Sequence, residues 1–130
     1  IGERLPVDHF MPAPGQGALA LQTRAEDVGA AWAAALDHPA TALCVAAERG
    51  AMRALEGSCR TAVGAHAVIA DGRLRLVAEK LSPDGAARWR RRADIAADAG
   101  VDDVRALGER LGDEVLAASG GAPDQPVAAS

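Results

Sequence analysis

The sequence predicts an α+β fold, a three-stranded antiparallel sheet covered by helices, and three observations predict it. The hydrophobic period is helical from Glu26 to Glu56, changes to two beyond Gly57, and returns to helical near the C-terminus. Asp71-Gly72 separates two alternating runs as a two-residue hairpin turn. Pro83-Asp84-Gly85 then turns the chain into a third alternating run. Consecutive strands joined by tight turns make an antiparallel sheet, and amphipathic helices on either side have one face each to bury against it.

Each element has its own cause. Ile1 to Pro14 contains Pro6, Pro12 and Pro14, which remove backbone donors and restrict the preceding residues, so this stretch is expected to be extended. After a Gly15-Gln16-Gly17 turn, residues 18–24 read as a short strand, although their alanines and leucines would also suit a helix. Residues 1–24 are therefore expected to be an extended segment and strand that belong to a preceding domain. From Glu26 to Leu36, the apolar Val28, Ala31, Trp32, Ala35 and Leu36 fall on one stripe and predict a helix. Asp37-His38-Pro39 ends it, and Pro39 suits the first position of a second helix running to about Glu56. On that helix Ala40, Leu43, Cys44, Ala47, Ala51, Ala54 and Leu55 share the face to be buried. Glu48, Arg49, Arg53 and Glu56 lie opposite, and Val45 and Met52 fall on that charged side.

The hairpin fixes its own register. A two-residue turn at Asp71-Gly72 opposes Ile69 to Leu74, Ala67 to Leu76 and Ala65 to Ala78, all apolar. The other face pairs Val68 with Arg75 and Gly64 with Glu79, so one register satisfies both faces. The third strand, Ala86 to Asp94, turns Ala87 and Trp89 inward and Arg88, Arg90 and Arg92 outward. A last helix from about Asp102 to Ala118 buries Val104, Leu107, Leu111 and Val115. Residues 25–119 make one domain, and 120–130, with nothing to bury, are expected to be a disordered tail.

Composition bounds the function. Of 130 residues 49% are hydrophobic and 25% charged, an ordinary globular balance, but aromatics are only 2%. Much of the apolar fraction is alanine, so the core is thin and predicts docking on something larger. The net charge of −4 gives no bulk field for phosphates or anionic lipid, which argues against nucleic acid and membrane partners. No run approaches the roughly 20 apolar residues of a membrane span, and no signal segment opens the chain, so a cytoplasmic location is expected. Ile1 stands where an initiator Met is expected, which predicts a fragment of a longer polypeptide. The run Arg88-Trp89-Arg90-Arg91-Arg92 resembles an anion patch, yet alternation puts its arginines on a solvated strand face.

Cys44 and Cys59 form no CxxC, and His9, His38 and His66 are scattered, so neither a zinc site nor a disulfide framework is expected. Cys59 lies in Leu55-Glu56-Gly57-Ser58-Cys59-Arg60-Thr61, between a helix and the sheet, where a thiol is reachable from outside. Arg60 favours its thiolate and the end of the preceding helix disfavours it. On position alone it reads as an incidental loop cysteine.

Two stretches together change that reading. Pro12-Ala13-Pro14-Gly15-Gln16-Gly17-Ala18-Leu19-Ala20 and Ala47-Glu48-Arg49-Gly50-Ala51-Met52-Arg53-Ala54-Leu55-Glu56-Gly57-Ser58-Cys59 resemble the paired signatures of the porphobilinogen deaminases. They stand in the family's order and near its separation, followed by Val63-Gly64-Ala65-His66-Ala67 and the hairpin. The resemblance covers nearly all of this chain and only the C-terminal part of a family member. It implies a transferase of tetrapyrrole (haem) biosynthesis that polymerises four porphobilinogen units into hydroxymethylbilane by successive deamination. Cys59 matches the cysteine that holds the dipyrromethane cofactor by a thioether. Gln16 and Gly17 match the segment lying near that cofactor, and Arg49 matches an arginine that binds acidic pyrrole side chains. Residues 25–119 would be the cofactor-anchoring domain.

The family's catalytic aspartate belongs to domains missing here, so no catalytic residue is assigned and the fragment alone is expected to be inactive. The full-length protein is expected to be a monomer with porphobilinogen and the growing polypyrrole as its partners. Ser58 replaces a glycine common before the anchor, and Thr61-Ala62 stands where Val-Pro is frequent, which bears on loop geometry. Two other classes of function remain open at this point. One is a non-enzymatic α+β interaction module in which Cys59 is incidental and Val45 and Met52 mark a partner surface. The other is a cysteine hydrolase pairing Cys59 with His66.

Overall fold

Helix α2, Pro39–Ala54, starts where the sequence requires it. His38 is its cap, with Nδ1 accepting from the Thr41 N–H (3.2 Å), and Pro39 occupies the first turn, where a missing N–H costs nothing. The computed structural model describes residues 2–55 and 62–120. Besides α2 these form a short 3-10 turn at Ala25–Asp27, a one-turn helix α1 (Ala31–Ala34), strands β1 (Val63–Ala70), β2 (Arg73–Leu81) and β3 (Arg88–Ala96), and helix α3 (Val101–Ala118). The expected tail lies outside the described residues except for Gly120. No helix among them is long and apolar enough to cross a membrane.

The sheet is antiparallel in the order β1-β2-β3. Its first ladder has the expected register, with Ile69 opposite Leu74, Ala67 opposite Leu76 and Ala65 opposite Ala78. Asp71 and Gly72 both take positive φ, 52° and 70°, as the tight turn demands. Helices α2 and α3 cover one face, and the core between is as alanine-rich as expected: Ala47, Ala51, Ala65, Ala67 and Ala78 with Leu55, Leu74, Leu76, Val104, Leu111 and Val115. The α2–α3 contact is unusually close because glycines face it. A Cβ on Gly112 would lie 2.6 Å from the Ala51 carbonyl oxygen, and one on Gly50 would run into the Arg105 carbonyl.

The opposite face of the sheet is not simply solvated, as the alternation predicts. Residues 8–12 cross its end. Gly64 leaves room for Met11, whose Cγ would stand 2.6 Å from an added Cβ. Asp8 offers its carbonyl to Arg90 Nη1 (2.7 Å) and its carboxylate to Arg92 (3.2 Å). Beneath them Glu79, only 4% exposed, accepts from Arg90 Nε (2.7 Å) and lies 3.4 Å from Arg88. Arg88, Arg90 and Arg92 therefore tie β3 to a buried carboxylate and to the N-terminal segment, which strand alternation alone does not disclose.

The free edge of β1 is also covered. Its outward N–H groups donate to the Pro12 carbonyl at Ala65 (3.2 Å), to Glu48 Oε1 at Ala67 (2.7 Å) and to the Cys44 sulfur at Ile69. Edge-strand donors left bare would be costly or adhesive.

Two expectations give way. The helix expected from Glu26 to Leu36 is only α1 plus the 3-10 turn, and Val28, Trp32 and Leu36 are exposed. Gly29 at φ 88° interrupts the helical path, and the apolar stripe has no surface among the described residues to bury against. Residues 18–24, expected as a strand, carry no regular structure; a strand needs a partner, and none of the described strands runs beside them.

Candidate functional site

A cleft of about 340 Å³ opens where the Gly15–Ala18 turn, the first half of α2 and the second half of β1 meet. The turn is two successive reversals, with Gln16 N–H donating to the Ala13 carbonyl and Ala18 N–H to the Gly15 carbonyl, both at 3.1 Å. Gly15 and Gly17 adopt φ 73° and 82°, which a side chain would strain. α2 contributes Cys44, Val45 and Glu48 to the wall, and β1 contributes His66 and Ile69.

Glu48 joins the three walls. Its Oε2 accepts from the Gly15 N–H and its Oε1 from the Ala67 N–H, each at 2.7 Å. The residue is 6% exposed. A buried carboxylate is tolerable only with such donors, and its two oxygens accept charge-assisted bonds that are shorter and stronger than neutral ones. His66 Nδ1 stands 3.8 Å from Oε1, so a protonated ring would pair with the same group.

Cys44 is half-buried beside it. Burial, and then the Glu48 charge, push its thiol above the ordinary range, against the pull of the Ile69 N–H. A thiol so held is a weak nucleophile.

The structure brings some of the sequence-derived residues together. Gln16 and Gly17 line the cleft. Arg49 stands exposed on α2 outside the lining, one residue from Glu48. Cys59 lies outside the described residues, as do Glu56, Ser58, Arg60 and Thr61, so the pairing of Cys59 with His66 is not described either. Val45, assigned to the charged side of α2, lines the cleft, and Met52 is half-buried.

Glu48 is the residue that the periodicity misplaces. The helical stripe puts it with Arg49 and Arg53 on the solvent side, yet α2 is gripped by α3 on one flank and by the β1 edge on the other. The edge supplies donors that call for an acceptor. The signal in the sequence is the spread of small residues, Ala46, Ala47, Gly50 and Ala51, around more of the helix than one stripe.

Comparison with known proteins gives the chain a family. Residues 42–117, from within α2 almost to the end of α3, match the family described as porphobilinogen deaminase, C-terminal domain. A porphobilinogen deaminase of Caulobacter vibrioides (strain NA1000 / CB15N) is 54% identical over 121 residues, 91% of this chain and 37% of that protein. That of Phenylobacterium zucineum is 50% identical over 116 residues, 81% of this chain and 36% of the relative. That of Thiobacillus denitrificans is 43% identical over 114 residues, 87% of this chain and 36% of the relative. The chain thus spans little more than a third of the length of these relatives. With the family match covering more than half of its residues, including the helix and the strand that wall the cleft, the chain belongs to the porphobilinogen deaminase family, as its C-terminal domain.

Proposed function

We propose that this chain is the cofactor-bearing part of an enzyme that polymerises porphobilinogen into hydroxymethylbilane, with dipyrromethane held on Cys59 by a thioether. The observation that carries the reading is the family match over α2, the sheet and α3. The matched signature runs up to Cys59, and a thiol is suited to anchoring because it is a strong, soft nucleophile whose thioether persists through turnover. When bound, the dipyrromethane supplies the free α-carbon to which porphobilinogen units are added.

The cleft supports the reading by its chemistry. Val45, Ala18 and Ile69 suit the flat faces of pyrrole rings, and Gln16 and His66 suit their N–H groups. No lysine or arginine lines it among the described residues, so the acidic arms of the pyrroles require cations from beyond the wall; Arg49 takes one of them in this reading. The full-length protein acts as a monomer in the cytoplasm, and this chain alone turns over no porphobilinogen, since the groups that drive deamination lie in the preceding domains.

Intact-mass analysis of the full-length protein tests the proposal. The peptide containing Cys59 should carry the added mass of two condensed porphobilinogen units, and Cys59→Ser should abolish both attachment and activity. An active enzyme with an unmodified Cys59 would overturn it.

A further inference from the structure

Glu48 makes the same two bonds whether or not the family is known, and their placement says what they hold. One reaches a residue 33 positions away in the Gly15–Gly17 turn and the other a residue 19 positions away in β1. We propose that Glu48 is the positioning residue of the cleft: its carboxylate clamps the turn to the edge of β1 and so sets where Gln16 and Gly17 stand. The inference deepens the function proposed above and rests on it, because turn placement matters to catalysis only if the cleft receives the pyrrole group.

Three features support the clamp. The hydrogen bonds within the turn are internal to it, from Gln16 to Ala13 and from Ala18 to Gly15, so they shape the turn without fixing it to the domain. The chain just past the turn has no packing of its own, for Leu19 is 96% exposed. The third feature is chemical. Two N–H groups converge on one side chain, and a carboxylate is acceptor at both oxygens, whereas the amide of glutamine would set an NH₂ against one of the two donors. Burial makes that mismatch count most at Ala67, whose bond to Glu48 is buried and whose N–H would have no water to turn to.

The full-length enzyme carrying Glu48→Gln is the test, with three readouts. Hydrogen exchange of the peptides covering Gly15 and Ala67 should accelerate, while that of the peptides from β2 and α3 stays as in the parent. The Cys59 peptide should still bear the two-pyrrole mass, and kcat should fall roughly 10- to 100-fold, the range expected for a displacement of up to about 1 Å, with KM for porphobilinogen little changed. Gln16→Ala should then cost much less in the Glu48→Gln background than in the parent, because both act through one turn.

Unchanged exchange at Gly15 and Ala67 overturns the clamp. Lost protection with kcat within about twofold of the parent, or additive costs in the double variant, overturns the positioning role. A parent enzyme that neither carries the pyrrole mass nor consumes porphobilinogen defeats the function proposed above instead, and exchange then decides the clamp by itself. If Glu48→Gln does not fold, Glu48→Asp keeps the charge with a shorter reach; intermediate loss in the same readouts supports the proposal, and full parental behaviour overturns it.

Discussion

Gly108 of α3 lies so close to Ala47 of α2 that a Cβ built on it would overlap the Ala47 carbonyl oxygen and stand 2.9 Å from the Ala51 nitrogen. Both obstacles are backbone, so neither can rotate away. Gly108→Ala is therefore expected to destabilise the chain by about 3 kcal/mol, the upper end of ordinary overpacking. Gly2→Ala, where nothing lies within 4 Å, is expected to stay within about 0.5 kcal/mol. Urea denaturation of the two variants measures the difference.

Glu79 is expected to matter for stability more than a charge on the supposed outer face would. It holds Arg90, whose side chain is 17% exposed and whose Nη2 lies 2.6 Å from the same carboxylate oxygen that accepts from Nε. Glu79→Gln would leave that guanidinium enclosed with its counter-charge gone. A sealed pair broken this way costs about 3–5 kcal/mol; the partial exposure of Arg90 and the Asp8 carbonyl on Nη1 reduce the expectation to about 2 kcal/mol. A shift of the urea midpoint no larger than that of an exposed substitution would contradict the buried tie.

The Cys44 thiol should titrate above the ordinary range. Burial comes first among the causes and the Glu48 charge second. A raised pKa keeps the proton on sulfur to higher pH, so the midpoint of the curve of alkylation rate against pH should lie above that of the same chain in urea. In a Cys59→Ser background, which isolates Cys44, Glu48→Gln should bring the native midpoint part of the way back. Coincident native and unfolded midpoints would show that neither cause operates.

Trp32 and Leu74 make a fourth contrast. Trp32 is 54% exposed and Leu74 fully buried. Leu74→Ala should cost about 2–5 kcal/mol, and Trp32→Ala less than about 0.5 kcal/mol in this chain, both read by chemical denaturation. In a protein of the relatives' full length, an appreciable cost for Trp32→Ala would mean that residues outside this chain cover the 26–36 stripe.

The sheet was legible in the sequence because its rules are local. A two-residue turn at Asp71-Gly72 admits one register, and the apolar pairs confirm it from within the strands themselves. α3 was legible for the same reason, its stripe of Val104, Leu107, Leu111 and Val115 being buried as expected. The 26–36 stripe is just as regular, yet it forms little helix, since a stripe stabilises a helix only when something covers it. Glu48 and Glu79 illustrate the converse. Period assigned both to solvent, and both are buried by segments distant in sequence: the Gly15 turn and the β1 edge in one case, the arginines of β3 with residues 8–12 above them in the other. Gln16 and Gly17 were reached through motif resemblance, and the cleft they line could not be drawn before α2 and β1 were set side by side.

The occupied border of β1 has a bearing on how these molecules behave in a crowd. Another extended chain approaching Ala65, Ala67 or Ile69 finds their amide hydrogens already engaged by Pro12, Glu48 and Cys44. On the opposite border, β3, Arg88 and Arg92 are held by Glu79 and Asp8, and residues 8–12 lie over that end of the sheet. The β1 side of this small sheet therefore offers no template for growth, and crowded copies have no easy route to stacking strand upon strand along it.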